Sequence, residues 1–224
     1  MKKTLAAGLS AVMLGATMGQ AQAFDDRVTV SALAGTTGVG ADITWRFQER
    51  FSITAQYAGG LEWDGDYDTD EVNYEGDLDI SAGALKLDFH PFGGRFYVTA
   101  GAMLPDMEAN VRGTAKDNQD FEFDGTTYTT AQLGTVHGKL TVADGVQPYA
   151  GLGWRSSHTE GFGFFSEFGV MAVDVDVDLR TSNDFESQDP TFREDLRREE
   201  QKLKEDADEL PFYPVAVLGI SYTF

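Results

Sequence analysis

The sequence predicts an all-β fold, an eight-stranded antiparallel transmembrane β-barrel with one helix in the last long connection. Three observations carry this. Apolar and polar residues alternate with period two over most of the chain; 25 Gly accompany 16 Phe, 8 Tyr and 3 Trp; and no long unbroken apolar run follows residue 23. Period two belongs to strands with two unlike faces. A chain without an apolar run of about 18 residues can cross a bilayer only as a closed barrel, in which every backbone group is paired. Charge and composition exclude other classes. With 17 Lys plus Arg against 37 Asp plus Glu, the net charge of -20 repels nucleic acid. The absence of Cys removes a disulfide framework, a thiolate metal site and a thiol nucleophile.

Taken in order, residues 1–23 read as a signal peptide: Lys2 and Lys3, an uncharged stretch from Leu5 to Met18, and the small-x-small pattern Ala21-Gln22-Ala23. Residues 24–224 are then the barrel, with 179–211 as a helical insertion. Strands fall near 30–47, 51–62, 75–89, 95–109, 133–142, 147–156, 163–178 and 212–224. Alternation is clearest at the end of the chain, where Phe212, Pro214, Ala216, Leu218, Ile220, Tyr222 and Phe224 share one parity. Aromatic residues recur near expected strand ends: Trp45, Phe47, Phe89, Phe92, Trp154, Tyr222 and Phe224. Trp and Tyr rings suit headgroup depth.

Two strands change phase. In 77–90 the apolar set Leu78, Ile80, Ala82, Ala84 gives way to Leu85, Leu87, Phe89, so a bulge near Ala84 is expected to keep both sets facing lipid. In 163–178 the set Phe168, Val170, Ala172 gives way to Val173, Val175, Val177, with Asp174, Asp176 and Asp178 opposed and able to stay hydrated beyond the bilayer. The connections raise a conflict. With eight strands and both termini periplasmic, the short turns at 48–50, 90–94 and 143–146 lie outside, whereas membrane barrels keep short turns inside. Splitting the first strand at Thr36-Thr37-Gly38 reverses this but gives nine strands.

The helix is predicted over 190–210. Asp189-Pro190 is a cap and first-turn pair, and Leu196, Leu203 and Leu210 recur every seven residues. Its stripe suits a helix that rests on its own barrel, caps the mouth, enters the lumen or meets another copy. Asp124-Gly125 between aromatic and Thr flanks marks a small hairpin. A separate acidic stretch runs from Glu62 to Asp79, where Asp64, Asp66, Asp68 and Asp70 form a candidate Ca²⁺ or Mg²⁺ loop, although the EF-hand register is lacking. No other cofactor is expected.

An eight-stranded barrel has an interior just wide enough for packed side chains. Asp42, Arg46, Asp79, Lys86, Asp88, His137, Lys139, Arg155 and Glu167 are the candidate lumen network, with Gly151, Gly153 and Gly169 making space. Catalysis has weak support: Ser156, His158 and Glu160 hold the ingredients of an activated hydroxyl, but as near neighbours in one connection. The reading is therefore no enzyme.

The leader, the alternating strands and the closing Ser221-Tyr222-Thr223-Phe224 resemble small Gram-negative outer-membrane β-barrels of the broad opacity-protein and OmpA-barrel group. His90-Pro91-Phe92-Gly93-Gly94, residues 127–134, and the run from Pro148 to Trp154 also resemble a proteobacterial outer-membrane family without an assigned activity. The resemblance implies location in the cell outer membrane, contact with its lipid and lipopolysaccharide, and recognition of Tyr222 and Phe224 by the barrel assembly machinery. The expected state is a monomer, with no nucleic acid. The expected function is structural or surface-interacting, presenting acidic loops. The alternatives are a narrow pore or carrier for a small hydrophobic compound, and a lipid A-modifying acyl hydrolase.

Overall fold

The computed structural model describes residues 27–68, 72–116, 120–143, 145–157, 159–208 and 211–224. The expected signal peptide, Asp70, His158 and Leu210 lie outside the described residues. The elements are β1 (Arg27–Gly35), β2 (Gly38–Gln48), β3 (Phe51–Asp68), β4 (Val72–Phe89), β5 (Phe96–Ala115), β6 (Asp120–Phe123), β7 (Thr126–Thr129), α1 (Thr130–Leu133), β8 (Thr135–Ala143), β9 (Gln147–Arg155), β10 (Gly161–Ala172), β11 (Asp176–Thr181), α2 (Phe185–Gln188), α3 (Pro190–Asp208) and β12 (Phe212–Thr223).

Antiparallel ladders run β1-β2-β3-β4-β5-β9-β10-β12 and return to β1, so eight strands form a ring without an open edge. The membership differs from the expected one. The first predicted strand is split at Thr36-Thr37 into β1 and β2, and β8 is not in the ring. Instead β8 and β9 share one direction along β5: Thr114 pairs with Thr135 and Met107 with Ala143, then Met103 with Gln147 and Phe96 with Trp154. β8 and β9 therefore belong to a single descending run, and the chain does not reverse direction between them. β10 and β11 are likewise two parts of one ascending run, pairing with β9 and β8 in turn. This removes the topological conflict. Thr29 pairs with Thr223, and the connections from β2 to β3, from β4 to β5 and from β9 to β10 lie at that same end.

The wall is uneven. β3, β4 and β5 have 18, 18 and 20 residues, whereas β1, β2 and β12 have 9, 11 and 12. Their surplus, with β8 and β11, makes a five-stranded extension ordered β3-β4-β5-β8-β11 beyond the ring.

The expected bulge near Ala84 is absent, since β4 pairs with β5 in unbroken register from Val72 to Phe89. The irregularity lies in β3 between Ala58 and Leu61, at the Gly59-Gly60 pair, where Gly60 has φ +73. A left-handed residue costs glycine little, and the extra residue keeps Ala58 and Leu61 on the same face. Consequently Ile80, Ala82 and Ala84 face inward with Lys86 and Asp88, while Leu85, Leu87 and Phe89 face outward. The ring interior has two layers. Polar side chains fill the end that bears the turns; beyond them Leu33, Ala58, Ile80, Ala82, Met103, Met107, Met171, Val215 and Val217 form an apolar cluster.

The outward face of the ring is apolar and exposed, including Val30, Ile43, Ile53, Leu85, Leu87, Val98, Leu152, Phe168, Val170, Leu218 and Ile220. Aromatic rings gather at the turn end: Trp45 contacts Phe47, Phe51 contacts Phe89, Phe92 contacts Phe96, Trp154 contacts Phe164, and Tyr222 contacts both Phe162 and Phe224.

A second core lies on the inward-parity face of the extension. Phe123, Tyr128, Leu133, Phe192 and Leu196 are buried together, with Val136 and Leu179 of the sheet against them. Asp189 Oδ1 accepts the backbone N–H of Thr191 at 2.8 Å, so α3 starts where the Asp-Pro pair predicts. The insertion is shorter than 179–211, because Leu179 to Thr181 belong to β11. That strand would leave unpaired N–H groups at an edge; Glu200 Oε1 accepts Leu179 N–H at 2.8 Å and Glu186 Oε1 accepts Thr181 N–H at 3.4 Å.

Candidate functional site

Six of the predicted lumen residues share the ring interior. Asp42 and Arg46 come from β2, Lys86 and Asp88 from β4, Arg155 from β9 and Glu167 from β10, and all are buried. Alternation alone places them there, since each stands on the parity opposite an exposed apolar neighbour. Three carboxylates meet three cations, so these six groups balance.

Glu167 is the centre of this set. Lys86 Nζ donates to Glu167 Oε1 at 2.6 Å and to Gln56 Oε1 at 2.7 Å; Tyr149 donates to Oε1 and Tyr97 to Oε2, both at 2.9 Å. Lys86 and Glu167 side chains are each 3% exposed. Burying either charge alone is very costly, and a fully hydrogen-bonded pair offsets that cost. Glycine makes the arrangement possible: a Cβ on Gly153 would lie 2.0 Å from Tyr97 Cζ, and one on Gly169 would lie 2.4 Å from the Tyr149 hydroxyl.

Nearer the turns, Ser31 donates to Asp42 Oδ1 at 2.9 Å, while Ser52 and Thr54 donate to Asp88 Oδ2 at 3.1 and 2.8 Å. Arg155 Nη2 donates to Thr44 Oγ1 at 3.1 Å, and its guanidinium carbon lies 4.6 Å from the Phe165 ring centre and 5.6 Å from that of Tyr97. Arg46 Nη2 donates to the carbonyls of Glu49 and Gly93, tying two turns across the floor. Tyr97, Tyr149, Gln56, Ser52 and Thr54 were absent from the predicted set. Their signal was parity shared with the charged residues.

Asp79, His137 and Lys139 do not join the lumen. They stand on the outward face of the extension, where Lys139 Nζ pairs with Glu108 Oε1 at 2.8 Å. A groove of about 750 Å³ crosses this face, with Asp64, Asp66, Glu75 and Asp77 on one side and Arg112, His137, Lys139 and Arg180 on the other. Register sets acid opposite acid: Glu62 with Asp79, Asp64 with Asp77 and Asp66 with Glu75. Like charges directly opposite are unfavourable. Arg112 stands 3.8 Å from Glu75, and Asn110 donates to Asp77 at 2.8 Å, so relief comes from β5.

The candidate divalent loop is a strand instead. Asp64, Asp66 and Asp68 are alternate residues of β3, which places successive carboxylates about 7 Å apart along the strand. They do not converge, and among the described residues no group of three metal-capable side chains does.

In the layer of β6, β7, α1 and α3 over the extension, the cap, Tyr128 donates to Asp195 Oδ2 at 2.6 Å, Arg198 pairs with the other Asp195 oxygen, and Asp124 accepts from Arg198 at 2.8 Å and Lys202 at 2.6 Å. Burial, and then the bond to Asp195, push the Tyr128 hydroxyl up to about 12. The Tyr128 and Arg198 hydrogen bonds hold the Asp195 carboxyl below its ordinary value. Asp124 and Gly125 both have positive φ, the turn geometry of a tight hairpin, and this turn is what α3 clamps. An apolar cavity of about 500 Å³ remains between the later half of α3 and the sheet, lined by Val111, Phe121, Leu140, Val177, Leu179 and Leu203.

Ser156 Oγ accepts the Phe164 N–H at 2.8 Å, which orders a turn. Glu160 is exposed, and no catalytic arrangement is formed by the described members of that group.

These features define a class of fold: a closed ring of eight antiparallel strands, packed within by one polar and one apolar layer and apolar without. Among solved structures the chain is similar to CarO2 of Acinetobacter baumannii, with TM-score 0.57 and 23% identity over 88% of this chain and 98% of that chain. It is similar also to CarO of the same organism, with TM-score 0.56 and 22% identity over 88% of this chain and 97% of that one. At these identities the likeness establishes the fold alone. No family model matches the chain, and no curated protein matches it.

Proposed function

We propose that this chain is an outer-membrane β-barrel with a structural or surface-interaction role, its ring spanning the lipid and its charged extension standing in water outside. One observation carries this reading: the polarity of the ring is inverted, with charges paired inside and a continuous apolar surface outside. On β5 the outward apolar residues run from Phe96 to Leu104 before Asp106 and Glu108 follow. That is roughly 26 Å of strand, or about 20 Å of height at the tilt of membrane barrels, near the ~25 Å of their apolar band. The aromatic belt supports the reading by lying at the end of short turns, the periplasmic side of such barrels.

The two interior layers argue for a closed lumen, because an ion would have to pass an apolar cluster after a neutral network. The extension then presents the acidic row to lipopolysaccharide or to whatever approaches the cell. Tyr222 and Phe224 remain the proposed signal to the assembly machinery, and the ring, having no open edge, supports a monomer. Membrane fractionation tests the location: the chain should stay with outer membranes through alkaline wash and need detergent for release. Recovery as a folded protein in detergent-free periplasmic extract would defeat the proposal. Planar-bilayer recording tests the closed lumen, and discrete reproducible currents from the intact chain would overturn it.

The cavity under α3 favours a second reading, a carrier for a small hydrophobic compound. A fluorescent apolar probe should bind the intact protein and lose affinity in Leu203→Asp; equal binding by both would remove this reading.

A further inference from the structure

The cavity between α3 and the extension has a level floor. Inward residues of β4, β5, β8 and β11 stand in register across it, Tyr74 beside Gly113 and Val136, and Ala109 beside Leu140 and Val177. A Cβ on Gly113 would lie 3.4 Å from Tyr74 Cε1, and one on Gly138 would lie 3.3 Å from Leu179 Cδ2, so these two side chains lie over the glycines. The ceiling is the stretch of α3 from Glu199 to Ala207, where Ala207 adds only a methyl group. Four neighbouring strands span about 14 Å, and the steps from Ala109 to Gly113 cover about 13 Å. Spread over that area, a volume of about 500 Å³ is a slab roughly 3 Å deep for the centres of the atoms that fill it.

Its chemistry matches that shape. Phe121 and Phe123 stand on one side, the floor side chains Val111, Leu140 and Val177 offer no hydrogen bond, and the backbone groups of β4, β5 and β8 are used by ladders on both sides. Three charged residues reach the rim. Lys139 is paired with Glu108 at 2.8 Å, Glu199 lies 3.5 Å from Lys202, and Glu122 is exposed. Each charge is thus met by a partner or by water, and a charged ligand would lose hydration without gaining a pairing. Resting on the carrier reading, we infer that the compound is an uncharged molecule of fused planar rings, lying flat between α3 and the sheet. Such a molecule touches carbon on both faces at once, whereas a cage-shaped hydrocarbon is too deep for the slab.

Pyrene is the probe, and diamantane, a cage hydrocarbon of similar carbon number, is the comparison. With the full chain in lipid nanodiscs and binding to empty nanodiscs subtracted, pyrene fluorescence should show one saturable site per chain. Diamantane should displace pyrene at least about tenfold less effectively than unlabelled pyrene does, and pyrenesulfonate should be weaker by a similar factor. Ala207→Phe, which fills the slab from the ceiling, should weaken pyrene at least about tenfold while hydrogen exchange in 120–133 stays as in the unaltered chain. If neither hydrocarbon binds saturably, the carrier reading falls and this inference with it. If diamantane displaces pyrene as well as pyrene itself does, the carrier reading stands and the planar-ring inference is overturned. Equal binding of pyrenesulfonate would overturn the requirement for an uncharged ligand, and undiminished pyrene binding by Ala207→Phe would overturn this location.

Discussion

Glu167 in the ring and Asp195 in the cap are held by the same kinds of group, a tyrosine hydroxyl and a cation, yet they differ in what surrounds them. Lys86 and Glu167 are each 3% exposed, whereas Arg198 is 50% exposed beside a nearly buried Asp195. Water near Arg198 replaces a lost partner cheaply; nothing near Lys86 does. The same chemistry is therefore structural in one region and adjustable in the other.

The largest effect should come from Glu167→Gln, which leaves Lys86 buried without its counter-charge and should cost about 3–5 kcal/mol in urea unfolding from detergent. Replacing Lys86 and Glu167 together by Met and Leu should recover most of that loss. If the double variant is as unstable as the single one, packing and not charge governs the ring. Gly153→Ala should follow at about 1–3 kcal/mol, because its new methyl meets the Tyr97 ring; a neutral result would show that Tyr97 can move.

The cap should respond more mildly and separately. Tyr128→Phe should cost about 1–2 kcal/mol and raise hydrogen exchange in 120–133 while exchange in the ring is unchanged. Equal loosening of both would join the two regions. For Asp195 the folded carboxyl titrates lower than the unfolded one, so its stabilisation is present above the ordinary value of 3.8 and is lost as pH falls further. Tyr128 has the opposite sign: its contribution is complete below 10.0 and is lost as pH rises through about 12. Exchange in the cap should accordingly increase at both extremes. Smallest is Lys202→Ala, an exposed pair with Asp124, which should leave the urea midpoint nearly unchanged.

What was legible in the sequence follows from this division. Parity is local, so Asp42, Arg46, Lys86, Asp88, Arg155 and Glu167 could be grouped by counting in twos. Asp79, His137 and Lys139 fall elsewhere because counting in twos does not reveal where a strand leaves the ring. The outward residues of β4 change from Leu87 and Leu85 to Asp79 and Asp77 without any change of face. Reading that switch as a bulge at Ala84 also hid the inward layer of Ile80, Ala82 and Ala84, whose partners such as Met171 and Val215 are distant in sequence. The Gly59-Gly60 pair was the overlooked clue. Likewise β8 and β9 looked like two strands because a break and a reversal read alike until β5 is seen to run beside both.

The uneven height of the wall gives the molecule a front and a back. From Phe212 through β1 and β2 the rim ends at a low sill around Thr36 and Thr37, while β3 to β11 rise as a screen behind it. A visitor approaching from the side thus reaches the mouth from one quarter and is met by the acidic row from the other.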